Sequence, residues 1–521
     1  MMDANKARAA GHAAPHRGGR RAGLAALLGL LLLLVVAAGT GLALTTRSGT
    51  SEQAAPSSTA TGSGADMAAD ALRAPLPFDI PSTARLRDSE HLVFAHYFTP
   101  YPLSLDNRTA DEDYYTRNYL DPAGEQGKHA AYGGLLRDRP QPVPSKTGDW
   151  QLADMEQEVR TAIGAGIDGF SVDLLSLSGP NWDRVRLLMR AAQAVDPGFR
   201  IMPMPDMTAL HTDPATLAKA LGELAASPNA YRLGDGRLVV SPFKAEAQSV
   251  DWWRQVVASL SGQHGTKTAL VPLFLQFAAH AEEFAPISYG FSAWGSRSYN
   301  AQEHITADVD LAHKLGKKWM QPVSVQDARP NQGIYDEAGN TETLRATWTH
   351  AIDDGADWVQ LTTWNDYSET TQFAPSLHNG YTYLDLSSYY LTRFKTGDWP
   401  AVVRDTVYVT SRTQFAAATA GQRKPMTLRG GSAPARDTVE VLTFLAGSAT
   451  VNATSGSLSR SYRADEGVHA ELLPLRTGLA TAAVVRDGRT TTKVTTHYQV
   501  TDSPEVQDMQ YYGVTSGRVT Q

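Results

Sequence analysis

The chain has 521 residues, of which 42% are hydrophobic and 19% charged, and it contains no cysteine. This composition is that of a folded protein with a sizeable core, and it excludes disulfides, Cys-ligated zinc and a cysteine nucleophile. The formal net charge of −7 argues against a nucleic-acid-binding protein, which would carry a basic patch.

Residues 1–44 have the pattern of an export signal, with basic residues such as Arg20 and Arg21 before an apolar run from Ala22 to Leu44. The pattern predicts a cleaved secretory signal peptide, although the run is also long enough to act as a single N-terminal membrane anchor. Both interpretations place the rest of the chain outside the cell, as a secreted or extracellular protein. The Ser-, Thr-, Ala- and Gly-rich composition that follows predicts a disordered linker over residues 45–85.

Eight short apolar runs then alternate with stretches of helical periodicity. The runs lie at 91–97, 169–175, 200–205, 237–243, 269–274, 289–294, 318–325 and 358–364. Continuous apolar runs of this length are typical of strands in a parallel sheet, and the alternation predicts an α/β fold. We expect a (β/α)8 TIM barrel over residues 86–399. An open doubly wound sheet would usually carry a glycine-rich phosphate loop after its first strand, and the sequence has none.

The character of the sequence changes near Pro400. Short alternating runs such as TVYVTS, TVEVLTFL and TTKVTTHYQV are separated by Gly, Asp and Ser. Regular short strands at this spacing predict a C-terminal β-sandwich domain over residues 400–521.

Barrel enzymes carry their active sites at the carboxyl ends of the strands, so polar and aromatic residues there are candidates. The candidate substrate-binding residues are His96, Tyr97, Asp173, Asp206, Trp294, Gln326, Trp364, Asn365 and Tyr367. Aromatic rings suit the apolar faces of sugars, and acids and amides suit their hydroxyls. The plain alternatives are core packing for the tryptophans and a satisfied buried histidine for His96. We assign solvated or structural roles to Lys244, Glu246 and Arg297.

The stretch TTWNDYSETTQF, at the end of the eighth strand, adds two acids, Asp366 and Glu369. Sugar transfer requires one acid to protonate the leaving oxygen and a second carboxylate to activate water or attack carbon. The same two residues would also suit a turn-forming or helix-capping Asp with Glu completing a capping box. The sequence has no HExxH and no GxSxG, and we expect neither a metal nor a cofactor.

The segment TTWNDYSET resembles the Trp-Asn-Asp-Tyr-Gly-Glu-Ser signature of glycoside hydrolase family 71, the α-1,3-glucanases or mutanases. The stretches VFAHYF, GAGIDGFSVDLL, VVSPF and QPVSV are similar to other strands of that family. The resemblance implies a barrel with a β-sandwich and inverting hydrolysis of α-1,3-glucan, with Asp366 and Glu369 as catalytic acids. Ser368 and Thr370 depart from the signature and leave the exact glucan, and endo or exo action, open.

Two other functions stay open from the sequence. A related α-mannan-cleaving barrel would share the fold and the paired acids. A non-catalytic cell-wall glycan-binding protein would keep the aromatic residues but would not need the acid pair. Within the pair we assign Glu369 as general acid and Asp366 as base, although such roles depend on environment more than on residue type. The sequence gives no oligomeric state.

Overall fold

Parallel strands and helices alternate through most of residues 76–518, the part of the chain that the computed structural model describes. The strands are β1 Leu92–Tyr97, β2 Gly169–Leu174, β3 Arg200–Pro205, β4 Leu238–Val240, β5 Thr268–Leu270, β6 Leu273–Phe274, β7 Gly290–Ala293, β8 Lys318–Ser324, β9 Ala328–Arg329, β10 Ile334–Tyr335, β11 Trp358–Thr362, β12 Thr406–Ser411, β13 Thr427–Leu428, β14 Thr438–Leu445, β15 Ala449–Ser455, β16 Leu458–Ala464, β17 Gly467–Pro474, β18 Ala480–Arg486, β19 Arg489–Thr495 and β20 Tyr512–Thr515. The helices are α1 Thr83–Arg87, α2 Gly124–Gly127, α3 Trp150–Gly164, α4 Gly179–Val195, α5 Pro214–Ala225, α6 Val250–His264, α7 Phe277–Phe284, α8 Ile305–Lys314, α9 Glu342–Asp353 and α10 Thr382–Thr396.

The largest sheet is a curled parallel sheet that confirms the predicted α/β class. Seven strands run in the order β3-β2-β1-β11-β8-β7-β6, and β4 pairs with β5. Parallel bridges from Phe243 to Asp206 and to Leu273 connect the β4 region with β3 on one side and β6 on the other. The predicted fifth strand is divided into β5 and β6 because Pro272 lies between them and has no N–H to donate.

Side-chain alternation decides which residues can reach the inner face of the curled sheet. Phe94 of β1 packs with Met202 and Trp358 in one inner cluster, whereas Val93 and Tyr97 pack with the surrounding helices. Successive side chains on a strand point to opposite faces. His96 therefore shares the inner face with Phe94, and Tyr97 does not.

Local signals in the sequence account for the ends of several helices. Asp213 caps α5 by accepting hydrogen bonds from the N–H groups of Ala215 at 3.0 Å and Thr216 at 2.9 Å, and Pro214 occupies the first turn. Gly166 after α3 and Gly316 after α8 have φ of 89° and 69°, the left-handed conformation that glycine adopts without strain.

The C-terminal part contains two four-stranded antiparallel sheets, β17-β14-β12-β20 and β16-β15-β18-β19. Val409 of β12 and Val441 of β14 lie in the same buried cluster as Val451 of β15 and Val484 of β18. Phe444 of β14 instead joins the cluster that contains the helices around the parallel sheet. The first of the two antiparallel sheets thus has buried contacts on both sides.

The start of the described region differs from the predicted linker. Leu76 and Phe78 are buried, and Phe78 forms an antiparallel bridge with Val402. Their large apolar side chains pack against the domain, so residues 76–85 are ordered, whereas residues 45–75 and the predicted export signal at 1–44 lie outside the described residues. Between residues 76 and 518 no helix has the length and apolar character required to cross a membrane.

Candidate active site

The loop after β11 carries both predicted catalytic acids. Oδ1 of Asp366 accepts hydrogen bonds from the N–H of Ser368 at 3.0 Å, from its hydroxyl at 2.6 Å and from the N–H of Glu369 at 3.3 Å. These bonds form a tight turn of the kind that Asp stabilises. The capping-box alternative is wrong, because the next helix, α10, begins only at Thr382.

Glu369 is held through one carboxylate oxygen. Its Oε1 lies 2.7 Å from Nη1 of Arg329, and its Oε2 is buried with no hydrogen-bond partner among residues 76–518. Asp327 also binds Arg329, accepting from Nε at 2.7 and 2.9 Å and from Nη2 at 2.5 Å. Burial raises the pKa of Glu369 to about 8, while the shared charge of Arg329 acts in the opposite direction. Glu369 is therefore suited to hold a proton near neutral pH.

Asp366 has a different environment from Glu369. Burial raises the pKa of Asp366, and the hydrogen bonds from Ser368 and the charge of Arg329 oppose that shift. The donors converge on Oδ1 and stabilise an ionised carboxylate, whereas Oε2 of Glu369 has no donor among the residues that the structure describes. Two acids whose environments differ in this way can divide the roles of proton donor and proton acceptor.

His96 lies on the inner face of the sheet beside Asp173. Its Nε2 is 3.8 Å from Oδ2 of Asp173, and its Nδ1 is 3.1 Å from the sulfur of Met204. Burial, together with the nearby charge of Arg297, lowers the pKa of His96 to about 3. The ring is therefore neutral at physiological pH and can donate one hydrogen bond and accept another.

Asp173 brings another carboxyl group within electrostatic reach of Asp366, and Asp206 lies within electrostatic reach of Asp173. Burial and the charges of Asp206 and Asp366 raise the pKa of Asp173 well above its usual range. Oδ1 of Asp173 is buried without a partner in the described chain, whereas Oδ1 of Asp206 accepts from the N–H and hydroxyl of Thr208. A protonated Asp173 can donate a hydrogen bond to a sugar hydroxyl, and Asp206 can accept one.

The indole of Trp294 is a partly exposed ring on the same side of the sheet. It meets the rings of His96 and Phe243 edge to face, with centroids 5.2 and 4.9 Å apart. The guanidinium of Arg297 lies 5.0 Å from the Trp294 centroid and donates to the carbonyl of Trp294 at 2.5 Å. These contacts fix the ring in a position where the apolar face of a sugar can stack on it.

Three aromatic residues that were predicted to bind substrate are buried away from the inner face of the sheet. Tyr97 and Trp364 lie in the cluster outside the sheet, where both rings pack on Phe170 at centroid distances of 5.2 and 5.1 Å. Tyr367 is buried among the residues of neighbouring loops. The structure does not bring these three rings to the inner face with His96, because alternation along β1 and packing of the loop direct them elsewhere.

Two amide side chains that were predicted to bind substrate form hydrogen bonds with backbone groups of other segments. Oδ1 of Asn365 accepts from the N–H of Phe98 at 2.7 Å, and its Nδ2 donates to the carbonyls of Phe98 at 3.0 Å and Tyr101 at 2.8 Å. Oε1 of Gln326 accepts from the N–H of Tyr511 at 2.7 Å, and Nε2 donates to the carbonyl of the same residue at 3.3 Å. Both side chains position loops around the site and have their polar groups occupied.

Sequence reasoning did not single out Arg329 or Phe243. Arg329 lies in β9, and the N–H of its neighbour Ala328 donates to the carbonyl of Glu369 at 2.9 Å, which joins the two loops. The available signal was an arginine two residues beyond Asp327. For Phe243 the signal was its place at the end of the predicted fourth strand.

A cavity of about 510 Å³ lies at the opposite end of the parallel sheet. Its lining consists of Arg237, Ser288, Tyr289, His313, Gly316, Lys317, Lys318 and Asp357. Lys318 begins β8 and pairs with Asp357 at 2.7 Å, so this is the amino-terminal end of the strands. Residues at that end of a barrel usually serve stability. In the described part of the chain, no group of three or more His, Asp or Glu residues is arranged to hold a metal ion.

Known proteins with similar sequences hydrolyse glycosidic bonds. The chain is 24% identical to the glucan endo-1,3-alpha-glucosidase agn1 of Schizosaccharomyces pombe over 376 residues, which cover 67% of this chain and 87% of that protein. It is 23% identical to the ascus wall endo-1,3-alpha-glucanase of the same organism over 247 residues, or 44% of this chain and 55% of that one. Among solved structures, a GH99 endo-alpha-mannosidase from Bacteroides thetaiotaomicron matches with a TM-score of 0.47 at 15% identity, covering 58% of this chain and 97% of that chain. The model of glycosyl hydrolase family 71 matches residues 143–521, and the chain therefore belongs to glycosyl hydrolase family 71.

Proposed function

We propose that the protein is an exported hydrolase of α-1,3-glucan in which Glu369 is the general acid and Asp366 the general base. The substrate follows from membership of family 71 and from the names of the two yeast relatives. The observation that carries the assignment of roles is the buried Oε2 of Glu369, which has no partner within residues 76–518, in the same turn as an Asp366 that is supplied with hydrogen-bond donors.

The proposed step transfers two protons and exchanges one bond at the anomeric carbon. Glu369 gives the proton on Oε2 to the glycosidic oxygen while the bond from that oxygen to the anomeric carbon breaks. Asp366 takes a proton from a water molecule whose oxygen attacks the same carbon from the opposite face. The configuration is inverted, so an α-linked glucan yields a β-configured sugar, and proton exchange with solvent restores both acids.

Four side chains around the acids are proposed to bind the sugar. Trp294 supplies a stacking surface, and His96, Asp173 and Asp206 supply donors and acceptors for hydroxyl groups. Their support is a shared position on the inner face and the electrostatic interaction of Asp173 with Asp206. A neutral glycan matches a site in which His96 is neutral and burial raises the pKa of Asp173 and Asp206.

The closure of the barrel and the arrangement of the C-terminal sheets are part of the same proposal. We propose that the eight predicted strands close into a (β/α)8 barrel over residues 86–399 and that residues 400–521 form a β-sandwich. The two bridges of Phe243 support closure, and the shared valine cluster of the two antiparallel sheets supports the sandwich. Residues 1–44 are proposed to direct export, on the strength of their basic and apolar sequence pattern.

A glycan panel tests the function directly. Purified protein is incubated with α-1,3-glucan, β-1,3-glucan and yeast α-mannan, and soluble sugar is measured. We expect release from α-1,3-glucan alone, and release from α-mannan instead would favour the mannan-cleaving alternative. Proton NMR of the first minutes of reaction then reports the anomer, and an initial excess of the α-anomer would overturn inversion.

A further inference from the structure

An exposed tryptophan follows the last helix of the parallel-sheet region. Trp399 is 49% exposed, although it stacks on Tyr389 with ring centroids 5.0 Å apart and an interplanar angle of 23°. Arg393 lies 6.0 Å from the same ring. Tyr389 and Arg393 are one helical turn apart on α10. About half of the Trp399 surface stays exposed to solvent beside these contacts.

A polar groove adjoins this ring through Tyr390. The rings of Tyr390 and Trp399 meet edge to face with centroids 5.3 Å apart, and Tyr390 lines a cavity of about 330 Å³ between α9 and α10. The other lining residues, all on α9, are Glu342, Arg345, Ala346, Thr349 and His350. They repeat at helical spacing along one face over ~12 Å, at 1.5 Å per residue. The surface thus combines one aromatic ring with a strip of polar groups, of which Arg345 and His350 also form ion pairs with Glu440 and Asp354.

This surface is remote from the acid pair. Near the end of α10, Lys395 pairs with Asp168 at 2.5 Å, immediately before β2. That end of the helix therefore lies at the amino-terminal end of the parallel sheet, whereas Asp366 and Glu369 follow the carboxyl end of β11. A ligand on Trp399 would not occupy the catalytic cleft.

We propose that Trp399 and the groove beside Tyr390 form a second carbohydrate-binding site, which holds an α-glucan chain while another part of the polymer reaches the acids. The identity of the glycan rests on the proposed function. A sugar ring has an apolar face for the indole and a rim of hydroxyls for the groove. A protein partner would instead require a larger apolar area around its anchor residue. The chain's own residues 45–75 contain no aromatic residue to match the exposed indole.

Binding to insoluble polymer tests the proposal. The Glu369→Gln protein, which should not degrade the glucan, is sedimented with insoluble α-1,3-glucan with and without Trp399→Ala. We expect Trp399→Ala to weaken binding by about fivefold, the size of one lost stacking contact. Leu472→Ala is the matched control, because Leu472 is also a large exposed apolar residue, at 38% exposure, and should leave binding unchanged. Equal sedimentation of the Trp399→Ala and parent proteins would overturn the proposal.

Hydrolysis assays on insoluble and soluble substrates distinguish the second site from the catalytic site. With Glu369 intact, Trp399→Ala should degrade insoluble glucan more slowly while kcat/KM on a soluble α-1,3-gluco-oligosaccharide is unchanged. Because Trp399→Ala also removes a contact with Tyr389, Ala346→Gln provides a second variant that narrows the groove and should weaken binding with the stack intact. No hydrolysis of either substrate by the unmodified protein would refute the proposed function. Intact hydrolysis with unchanged binding in both variants would refute the second site alone.

Discussion

Each end of the parallel sheet contains a buried carboxylate paired with a buried cationic side chain, but the two carboxylates differ in their further hydrogen bonds. At the amino-terminal end, Oδ2 of Asp168 accepts from Nζ of Lys395 at 2.5 Å and from the N–H of Val93 at 2.8 Å. At the carboxyl end, Oε1 of Glu369 is bound by Arg329, while Oε2 is buried with no donor in the described chain.

We interpret this difference as one between a structural role for the Asp168–Lys395 pair and the proposed catalytic role for Glu369. The Asp168–Lys395 pair ties the start of the sheet to α10, with side-chain exposures of 2% and 0%, and burial lowers the pKa of Lys395. An unpartnered buried oxygen, by contrast, costs free energy and is retained where it is needed for a ligand or a proton. The most informative feature of a buried acid is therefore which of its oxygens lacks a partner.

The largest effect should follow from neutralising either acid of the proposed catalytic pair, Asp366 and Glu369. Glu369→Gln and Asp366→Asn should each reduce kcat on α-1,3-glucan by ~10³-fold or more, because each removes proton transfer in the transition state. Steady-state assays on purified variants measure the loss, with circular dichroism and melting temperature as controls for folding. Near-normal activity in either variant would contradict the assignment of that acid.

Breaking the pair at the other end should affect folding instead. Lys395→Met leaves Asp168 buried and uncompensated and should lower the free energy of unfolding by ~3–5 kcal/mol. Urea denaturation measures the change, and kcat per folded molecule should stay the same. Arg190→Ala is the control, because Arg190 and Asp149 form an exposed pair, of the kind that contributes at most ~1 kcal/mol. Loss of kcat in folded Lys395→Met would contradict the division between the two ends.

The sequence predicted the strands, and it placed Asp366 and Glu369 together after the last of them, because both are local signals. An apolar run of strand length specifies its own burial, and Asp366 and Glu369 stand in one short turn at the end of β11. It did not predict that Tyr97 faces away from the site, although the alternation of side chains in β1 contained that information. His96 and Tyr97 are adjacent and cannot both point inward.

Other features of the site depend on contacts that no local pattern contains. The amide of Asn365 binds Phe98, 267 positions away, and the amide of Gln326 binds Tyr511, 185 positions away. Such partners are set by the packing of loops from different parts of the chain. Likewise, Arg329 reaches Glu369 only because the β9–β10 hairpin folds beside the loop after β11. The sequence showed the residue types but not which polar groups were already occupied.

The pH dependence of kcat/KM should report the proton on Glu369. Glu369 donates only when protonated, so activity should fall as pH rises through the pKa of about 8. Arg329→Gln removes a positive charge that lowers this pKa, so the alkaline limb should move to higher pH, with a lower maximum because Glu369 loses its anchor. Arg254→Gln, in an exposed pair with Asp251, should leave the limb unchanged. A limb that moves to lower pH in Arg329→Gln would contradict the role of Glu369 as the acid.

The smallest effect should come from Trp294, the proposed stacking surface for the sugar. Trp294→Ala removes one stacking face and should raise KM for α-1,3-gluco-oligosaccharide by about fivefold while kcat changes less, since a stacking contact is worth ~0.5–1.5 kcal/mol. Trp294→Phe keeps a smaller ring and should give an intermediate KM. The ring also supports His96 and Phe243 through edge contacts, so a change in the melting temperature must be measured alongside. Tyr498→Ala, at 39% exposure in the C-terminal part, is the control for removing an exposed aromatic residue and should not alter KM. A fall in kcat as large as that of Glu369→Gln would instead make Trp294 part of the support of the acid pair.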